Sequence, residues 1–368
     1  MIHNEMRKHG IKLVLGYTVE GFKEKDNGVE VLLKDNPSLQ ADMVVLAIGV
    51  TPDTVLAKEA GLELGIKESI VVNDRMETSV PDIYAAGDAV QVKHYVTGND
   101  ALISLAGPAN KQGRIIADNI CGGDSHYLGS QGSSVIKVFD MTAATTGINE
   151  TNAKKSGLEV DTVILSPMSH AGYYPGGKVM TMKVVFEKET YRLLGAQIIG
   201  YEGVDKRIDV LATAIHAGLK ATQLKDLDLA YAPPYSSAKD PVNMAGFMID
   251  NIAKGTLKQW HLEDMDKISK DQNVVLLDVR TVDEFSRGHI NGFKNIPVDE
   301  LRERINEVEK GKPVYLICQS GLRSYIASRI LEGNGYETYN FSGGFRFYDA
   351  VVNDRALIEK AYACGMDY

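Results

Sequence analysis

A cysteine at the end of an apolar strand pattern has the surroundings of a nucleophile. Residues 317–324 read ICQSGLRS, so that Cys318 is followed by a short loop with Gly321 and then by a helical pattern. This order places the sulfur over backbone N–H groups and near the positive end of a helix dipole. Such a field stabilises the thiolate, which is the reactive form of cysteine. Arg323 adds a cation and a fork of donors that suit an anionic substrate or a bound persulfide.

Other interpretations of the three cysteines are open at this point. Cys318 is also compatible with an inert core cysteine, and phosphatases use a related but longer loop because phosphate needs more room than one sulfur atom. Cys121 precedes Gly122, the expected stop of a helix, and we expect it to pack in the core. Cys364 is interpreted as an incidental thiol. The spacing of the three contains no CxxC or metal-ligand pattern, so we predict no metal site.

Composition restricts the class of protein. The chain has 368 residues, which is enough for two or three domains, and 44% hydrophobic and 24% charged residues, as in globular proteins. A net charge of -9 argues against nucleic-acid binding. No apolar run is long enough to span a membrane, and the first residues lack a signal-peptide core. We therefore predict a cytoplasmic protein without nucleic-acid partners.

The elements that position Cys318 are a buried strand and a helix with apolar residues at Ile326, Ile330 and Leu331. They lie in an α/β pattern that begins with VVLLDVR at 274. Before it, KGTLKQWHLEDMD (254–266) is interpreted as a linker. Residues 133–254 alternate apolar strands with helices and predict a separate α+β domain.

The first 125 residues show a third pattern. Asn27-Gly28 predicts a hairpin, because both turn positions need positive φ, and KLVLG (12–16) and MVVLAIGVTPD (43–53) predict further strands. A short buried strand, Ile83 to Ala85, ends at Gly87-Asp88. A helix is predicted to begin near Pro108, with Ile115, Ile116 and Ile120 on its apolar face.

Three segments around Cys318 resemble the rhodanese domain, a sulfurtransferase fold. They are LLDVRTVDEFSRGHINGFKNIPVDEL (276–301), CQSGLRS and FSGGFRFY (341–348). The resemblance implies that Cys318 becomes a persulfide and that Arg323 is the loop arginine. Asp278 and Arg280 would form an architectural ion pair. A sulfane-sulfur donor and a thiol acceptor are the implied partners.

The first region resembles the two-dinucleotide-binding flavoprotein disulfide reductases in AIGVTPD (47–53), TSVPDIYAAGD (78–88) and LAGPANKQGR (105–114). The resemblance implies that Asp88 accepts hydrogen bonds from the ribitol of FAD. The helix near Pro108 would point its positive end at the flavin. The implied FAD-binding residues are Thr78, Ile83, Gly87, Asp88, Pro108 and Tyr231.

Two later stretches, SHAGYYPGGKVMTMKVVFE (169–187) and YAPPYSSAKDPVNMAG (231–246), narrow this resemblance to coenzyme A disulfide reductases, NADH oxidases and persulfide reductases. In that family, tyrosines of one subunit enter the active site of its partner. Tyr173 and Tyr231 match these catalytic tyrosines, and the implied assembly is a homodimer. Lys239 matches a lysine that contacts coenzyme A, and Asn110 stands where relatives carry a substrate-contacting histidine.

As a whole, the chain is similar to coenzyme A disulfide reductases fused to a rhodanese domain. The resemblance implies a partial two-dinucleotide-binding flavoprotein region (1–125), an α+β dimerisation domain (126–257) and a rhodanese α/β domain (258–368). It also implies NAD(P)H-dependent, FAD-dependent reduction of a coenzyme A disulfide, a coenzyme A persulfide or polysulfide. The alternatives are an NADH oxidase and a non-reductase dimeric sulfur-carrier scaffold.

The sequence lacks parts that this reaction requires. No GxGxxG turn is present, and neither Cys121 nor Cys364 is placed to act as the redox cysteine. We therefore interpret the chain as N-terminally truncated, with only part of the FAD site. Of the 368-residue polypeptide alone, only rhodanese activity is expected.

Overall fold

Two compact units make up this mixed α/β chain. The computed structural model describes residues 1–364, with side chains to residue 354, so the prediction for Cys364 lies outside the described side chains. One unit comprises residues 1–94, 98–130 and the segment from 351, and the other comprises 95–97 and 131–350. The predicted combination of α/β and α+β regions is confirmed. Within the described residues, no helix is both long and apolar enough to cross a membrane.

The first unit contains two small three-stranded sheets. The predicted hairpin is confirmed, but its turn is shifted by one residue. Lys25 pairs with Gly28, so that the two turn residues are Asp26 and Asn27. Of the predicted turn pair Asn27-Gly28, only Gly28 has a positive φ, 133°. A Cβ on Gly28 would lie 2.4 Å from the carbonyl oxygen of Ala41. The elements are α1 (Ile2–Lys8), β1 (Val19–Lys25), β2 (Gly28–Leu33), β3 (Asn36–Ala41), α2 (Val55–Glu59), β4 (Ile70–Val71), β5 (Val90–Lys93), β6 (Asp100–Ala101) and α3 (Ala106–Ile120).

Three strand predictions in this unit were wrong. Residues 43–53 form no strand, and five large apolar side chains between Met43 and Val50 are 62% to 86% exposed. An apolar run becomes a strand only where neighbouring strands pair with it, and no described strand pairs with this one. KLVLG is also irregular, and Ile83 to Ala85 make only the single bridge from Glu77 to Tyr84.

Helix α3 begins near Pro108, as predicted, but its buried face differs from the predicted one. Ile120 is exposed, Ile115 and Ile116 are half-buried, and the buried side chains are the polar Gln112 and Asn119. These two amides hydrogen-bond to loop backbone groups, which explains why polar residues occupy that face. Gly122 ends the helix with φ of 86°. Cys121 is exposed, so the prediction that it packs in the core was wrong.

The second unit begins with a five-stranded antiparallel sheet, in the order β7-β8-β11-β10-β9. Its strand predictions are confirmed, because β10 and β11 carry runs of β-branched and apolar residues that are buried on both faces. Helices α5 and α6 supply most of the remaining core. The elements are β7 (Ser134–Val138), β8 (Met141–Gly147), α4 (Glu150–Lys155), β9 (Val160–Leu165), β10 (Met180–Glu187), β11 (Leu193–Gly200), α5 (Val204–His216) and α6 (Pro241–Ala253).

A parallel sheet in the order β12-β16-β15-β13-β14 completes the second unit. Trp260 lies in β12, pairs with Phe341 and is buried, so the prediction that 254–266 is a linker was wrong over its second half. The elements are β12 (Gln259–Trp260), α7 (Met265–Ile268), β13 (Val275–Asp278), α8 (Val282–Ser286), β14 (Lys294–Asn295), β15 (Val314–Ile317), α9 (Leu322–Glu332), β16 (Thr338–Phe341) and the start of α10 (Gly344–Cys364), whose residues from 351 are assigned to the first unit.

The predicted strand, loop and helix around Cys318 are β15 and α9. The carboxyl ends of the parallel strands β13, β15 and β16 meet at one edge of the sheet, which is where ligands bind in such folds. The buried face of α9 is formed by Ser324, Ala327, Ser328 and Leu331. Ile326, which was predicted to face the core, is exposed.

Candidate functional site

The sulfur of Cys318 is buried and accepts two hydrogen bonds. The residue follows β15 directly and is 1% exposed. Gly321, with φ of 101°, donates its backbone N–H to Sγ at 3.1 Å, and the Ser324 hydroxyl lies 3.2 Å from Sγ. Ser324 stands in the first turn of α9, so the sulfur is placed at the positive end of this helix. Both donors would stabilise negative charge on a thiolate or on a persulfide.

Arg323 has a partner that the sequence prediction did not include. Its guanidinium donates to both carboxylate oxygens of Glu284, at 2.6 and 2.7 Å. The hydrogen bond from Arg323 is the main cause that lowers the pKa of Glu284 to about 2, and the same bond raises the pKa of Arg323. The fork of donors assigned to a substrate is therefore held by a carboxylate. The signal for Glu284 in the sequence was the capping pattern T-x-x-E at 281–284.

The backbone of the cysteine loop rests on a buried ion pair. Arg280 donates to both oxygens of Asp278 at 2.7 to 3.1 Å, and its guanidinium lies 3.9 Å from the ring centre of Phe345. The N–H of Phe345 in turn donates to the carbonyl of Cys318 at 2.8 Å. Because both charged side chains are buried, the pair is architectural rather than a surface contact.

A cavity of about 490 Å³ adjoins the cysteine loop. Its lining is mainly apolar and comes from β9, α6 and the loop itself, so that both sheets of the second unit contribute. Lys239, predicted to contact coenzyme A, stands at this cavity together with Ser320, Gly321 and Leu322. The structure thus places a predicted substrate-binding residue and the backbone around Cys318 at one cavity, which the sequence did not indicate.

Tyr173 and Tyr231 lie together in the second unit. Their hydroxyl oxygens are 2.7 Å apart, and the side chains are 76% and 45% exposed. The hydrogen bond between the two hydroxyl groups raises the pKa of Tyr231. The two residues belong to loops that are 58 positions apart in sequence.

Arg207 is a buried residue that sequence reasoning missed. It donates to the carbonyl of Ser169 at 2.8 Å, to the Asp240 carboxylate at 2.9 Å and to the carbonyl of Tyr235 at 3.4 Å. These contacts tie the segments that carry Tyr173, Tyr231 and Lys239 to helix α5. A charged residue inside the amphipathic pattern VDKRIDVL was the available signal, because a buried charge requires partners.

In the first unit, Gly87 and Asp88 face the start of helix α3. Gly87 has φ of 85° and donates its N–H to the buried Gln112 of that helix at 2.8 Å. Thr78 and Ile83 belong to the preceding loop, where the Thr78 N–H donates to the Ile83 carbonyl. The side chain of Asp88 is exposed, and the first turn of α3, with Pro108 and Asn110, has no side-chain cap. The exposed Asp88 carboxylate suits the hydroxyl groups of the FAD ribitol. The uncapped start of α3 suits the pyrimidine part of the flavin.

Comparisons with known proteins match three parts of the chain to protein families. The family of pyridine nucleotide-disulphide oxidoreductases matches residues 1–113, and its dimerisation domain matches 133–241. Over these two ranges the chain is similar to the pyridine nucleotide-disulphide oxidoreductases. A rhodanese-like domain follows at residues 261–350.

Two relatives of this chain carry names that refer to sulfur compounds. A Pyrococcus abyssi protein named NAD(P)H sulfur oxidoreductase (CoA-dependent) is 37% identical, over 66% of this chain and 54% of its own. A Staphylococcus aureus coenzyme A disulfide reductase is 35% identical, over 67% of this chain and 55% of its own. The chain therefore spans about half the length of the curated relatives it matches.

Two solved structures share both the oxidoreductase and the rhodanese parts of the fold. Reduced CoADR-RHD from Bacillus anthracis has a TM-score of 0.92 and 46% identity, covering 96% of this chain and 63% of that one. An NAD-dependent persulfide reductase from A. fulgidus has a TM-score of 0.87 and 39% identity, covering 94% and 63%. The resemblance found in the sequence is thereby confirmed.

Proposed function

We propose that Cys318 carries sulfane sulfur as a persulfide, within an enzyme that reduces coenzyme A disulfides, coenzyme A persulfides or polysulfides. The observation that supports this proposal best is the pair of donors on a buried sulfur, at the start of α9 and beside a cavity. An inert core cysteine needs neither donor. The same arrangement stabilises the charge that develops when sulfur is exchanged.

The transfer takes place in two balanced steps. The Cys318 thiolate attacks the outer sulfur of a donor, whose S–S bond breaks, and the remainder of the donor leaves with the electron pair. The thiolate of an acceptor then attacks the outer sulfur of the Cys318 persulfide and restores the cysteine thiolate. The N–H of Gly321 and the hydroxyl of Ser324 hold the negative charge on the cysteine sulfur in both steps.

Coenzyme A is the sulfur carrier that this chain supports best, with its thiol as the acceptor and its persulfide as the donor. Lys239, on the rim of the cavity, offers a cation for a phosphate, and the largely apolar lining suits the long thiol-bearing arm. Asn110 is proposed as a further substrate contact. Relatives with coenzyme A in their names support this assignment.

We propose the reductase function for the whole enzyme, in which NAD(P)H and FAD would supply electrons. FAD would be held by Thr78, Ile83, Gly87, Asp88, Pro108 and Tyr231. Arg323, Tyr173 and Tyr231 are proposed to act at the reacting groups. FAD carries the electron transfer when bound, and Asp88 would hold its ribitol through hydrogen bonds. The sequence contains no GxGxxG turn, which is the motif that would hold the pyrophosphate of FAD.

The oligomeric state, the domain boundaries and the cellular location are further proposals. The match to a dimerisation domain at 133–241 supports a homodimer. We propose domain boundaries near 125 and 257, with the dimerisation domain between them, and a location in the cytoplasm.

Intact-mass measurement tests the sulfur-carrying role. Wild-type protein that has been treated with thiosulfate or polysulfide should gain the mass of one sulfur atom and lose it when a thiol is added. Cys318→Ser should abolish the gain, and Cys121→Ser, which removes an exposed thiol, should leave it unchanged. Retained sulfur transfer in the Cys318→Ser variant would refute the proposal.

The alternatives predict different outcomes. An NADH oxidase would consume oxygen and leave Cys318 unmodified, and the rhodanese-like domain speaks against it. A dimeric sulfur-carrier scaffold would form the persulfide but copurify with a full-length homologue. Gel filtration and copurification separate the scaffold from the enzyme.

A further inference from the structure

The loop around Cys318 contains one charged side chain, and that charge is neutralised. Between Cys318 and Arg323 the sequence CQSGLR offers only the arginine as a cation. Its two terminal nitrogens donate to the two oxygens of Glu284, in the parallel geometry that binds carboxylates most specifically. A free guanidinium would attract anionic sulfur donors. A paired one presents no net charge to them.

Glu284 is fixed in place before any ligand arrives. The N–H and the hydroxyl of Thr281 each donate to Oε2 of Glu284 at 3.0 Å, and the Glu284 N–H donates back to Thr281 at 3.2 Å. Arg280 donates to the Glu284 carbonyl at 3.3 Å, which connects helix α8 to the buried Asp278–Arg280 pair. The carboxylate therefore cannot turn away from Arg323 without losing several contacts.

Charged groups that act on Arg323 include the Glu284 carboxylate, the Asp278 carboxylate, which is already paired with Arg280, and the Cys318 sulfur when it is a thiolate. With a thiolate at Cys318, the group of Arg323, Glu284 and sulfur carries one negative charge. Such a site repels a doubly charged donor more strongly than a singly charged one.

We propose that Glu284 is a positioning residue that sets the charge selectivity of the Cys318 site, by holding Arg323 and disfavouring dianionic sulfur donors. This inference rests on the proposed sulfur transfer to Cys318. Singly charged donors, such as alkyl persulfides and thiosulfonates, would be preferred to thiosulfate. Arg323 then meets the donor as one half of a neutral ion pair rather than as a free cation.

Thiosulfate and methanethiosulfonate form a matched pair of donors. They transfer the same sulfane sulfur and differ in one methyl group that replaces a charged oxygen. In each case the Cys318 thiolate attacks the outer sulfur, the S–S bond breaks, and sulfite or methanesulfinate leaves with the electron pair. The measurement is the rate constant of persulfide formation at Cys318 under single-turnover conditions.

Glu284→Gln keeps an oxygen for the Thr281 cap but removes the negative charge. We expect the thiosulfate-to-methanethiosulfonate rate ratio to rise roughly tenfold in this variant and to fall towards the wild-type value at high salt. Arg323→Gln, which leaves the carboxylate unpaired, should lower the ratio. If Glu284→Gln does not fold, this second variant still tests the charge selectivity, because its rate ratio should change in the opposite direction.

The possible failures are distinguishable. Equal losses with both donors in Glu284→Gln would mean that the carboxylate only supports the loop, and would overturn the charge-selectivity inference. If wild-type protein forms no persulfide with either donor, the proposed sulfur transfer itself fails, and the inference fails with it.

Discussion

The hydroxyl oxygens of Tyr173 and Tyr231 lie 2.7 Å apart, although both side chains reach solvent. The hydrogen bond raises the pKa of Tyr231, because it favours the protonated hydroxyl over the phenolate. Removing the Tyr173 hydroxyl should therefore return the pKa of Tyr231 towards its ordinary value.

Tyr173→Phe is the variant for that test. With carbon-13 labelled tyrosine, the NMR titration of Tyr231 should shift to lower pH in Tyr173→Phe. Tyr235→Phe, at another exposed tyrosine, should leave it in place. An unchanged titration of Tyr231 would show that the two hydroxyl groups do not interact in solution.

Arg207 is expected to be a major determinant of stability in the second unit. Arg207→Ala leaves the buried Asp240 carboxylate without its partner, and breaking a buried pair in this way costs about 3 to 5 kcal/mol of unfolding free energy. Urea unfolding followed by circular dichroism measures this loss. Asp209→Ala, at an exposed position of the same helix, should change stability by less than about 0.5 kcal/mol. Equal effects of the two substitutions would contradict the assigned role.

Gly344 holds the cysteine loop through a close backbone contact. It has φ of 68°, and a Cβ there would lie 2.7 Å from main-chain atoms of Gln319 and Ser320. Gly344→Ala should therefore displace the loop and slow persulfide formation at Cys318 at least about tenfold, besides a conformational cost of about 1 to 3 kcal/mol.

Gly335→Ala is the control for that substitution. Gly335 has a similar φ of 82°, but a Cβ there would meet nothing within 4 Å. Gly335→Ala should lower the stability of the protein, because alanine is strained at this φ. It should leave the rate of persulfide formation at the wild-type value. Equal rates in the two variants would show that the Gly344 contact does not position the loop.

The Glu284–Arg323 pair should give a pH-dependent contribution to stability. The pKa of Glu284 is lowered from 4.5 to about 2 in the folded protein, so the contribution is present above pH 4.5 and is lost as the pH falls towards 2. Both side chains are 30% exposed, and solvent screening limits the effect to on the order of 1 kcal/mol.

Urea titrations between neutral and acidic pH measure that contribution. The difference in unfolding free energy between wild type and Glu284→Gln should be largest at neutral pH and should vanish as acid protonates Glu284. Asp283→Asn, at the exposed neighbour, is the control. A difference that is independent of pH would contradict the ion-pair origin of the effect.

The 368-residue polypeptide should bind FAD weakly. Asp88 and the start of α3 suit one end of the cofactor, but the sequence has no GxGxxG turn, and the apolar segment 43–50 is exposed. Flavin absorbance of the purified protein measures binding, and a stoichiometric flavin band would contradict the prediction.

Local patterns were sufficient to predict the elements around Cys318. An apolar β-branched run, a glycine with positive φ and an amphipathic segment determine β15, the loop and α9 without reference to distant residues. The same holds for β9, β10 and β11, whose apolar runs are long and sharply bounded.

Features that depend on distant partners could not be predicted. The run at 43–53 has the composition of a central strand, but composition does not reveal whether neighbours pair with it. The Glu284–Arg323 contact joins residues that are 39 positions apart, and Arg207 joins segments up to 38 positions away. Such contacts follow from the tertiary fold, and no periodicity in the sequence reports them.

Trp260 is the only tryptophan of the chain, and it lies in the aromatic cluster of the parallel sheet, 4.5 Å from Phe341 and 5.6 Å from Tyr315 between ring centres. Because Trp260 is only 2% exposed, its emission should be blue-shifted and should move to longer wavelength when this sheet unfolds. Tryptophan fluorescence is therefore a built-in reporter for the part of the protein that carries Cys318. If tryptophan fluorescence changes at a lower urea concentration than circular dichroism does, the part of the protein that carries Cys318 unfolds first.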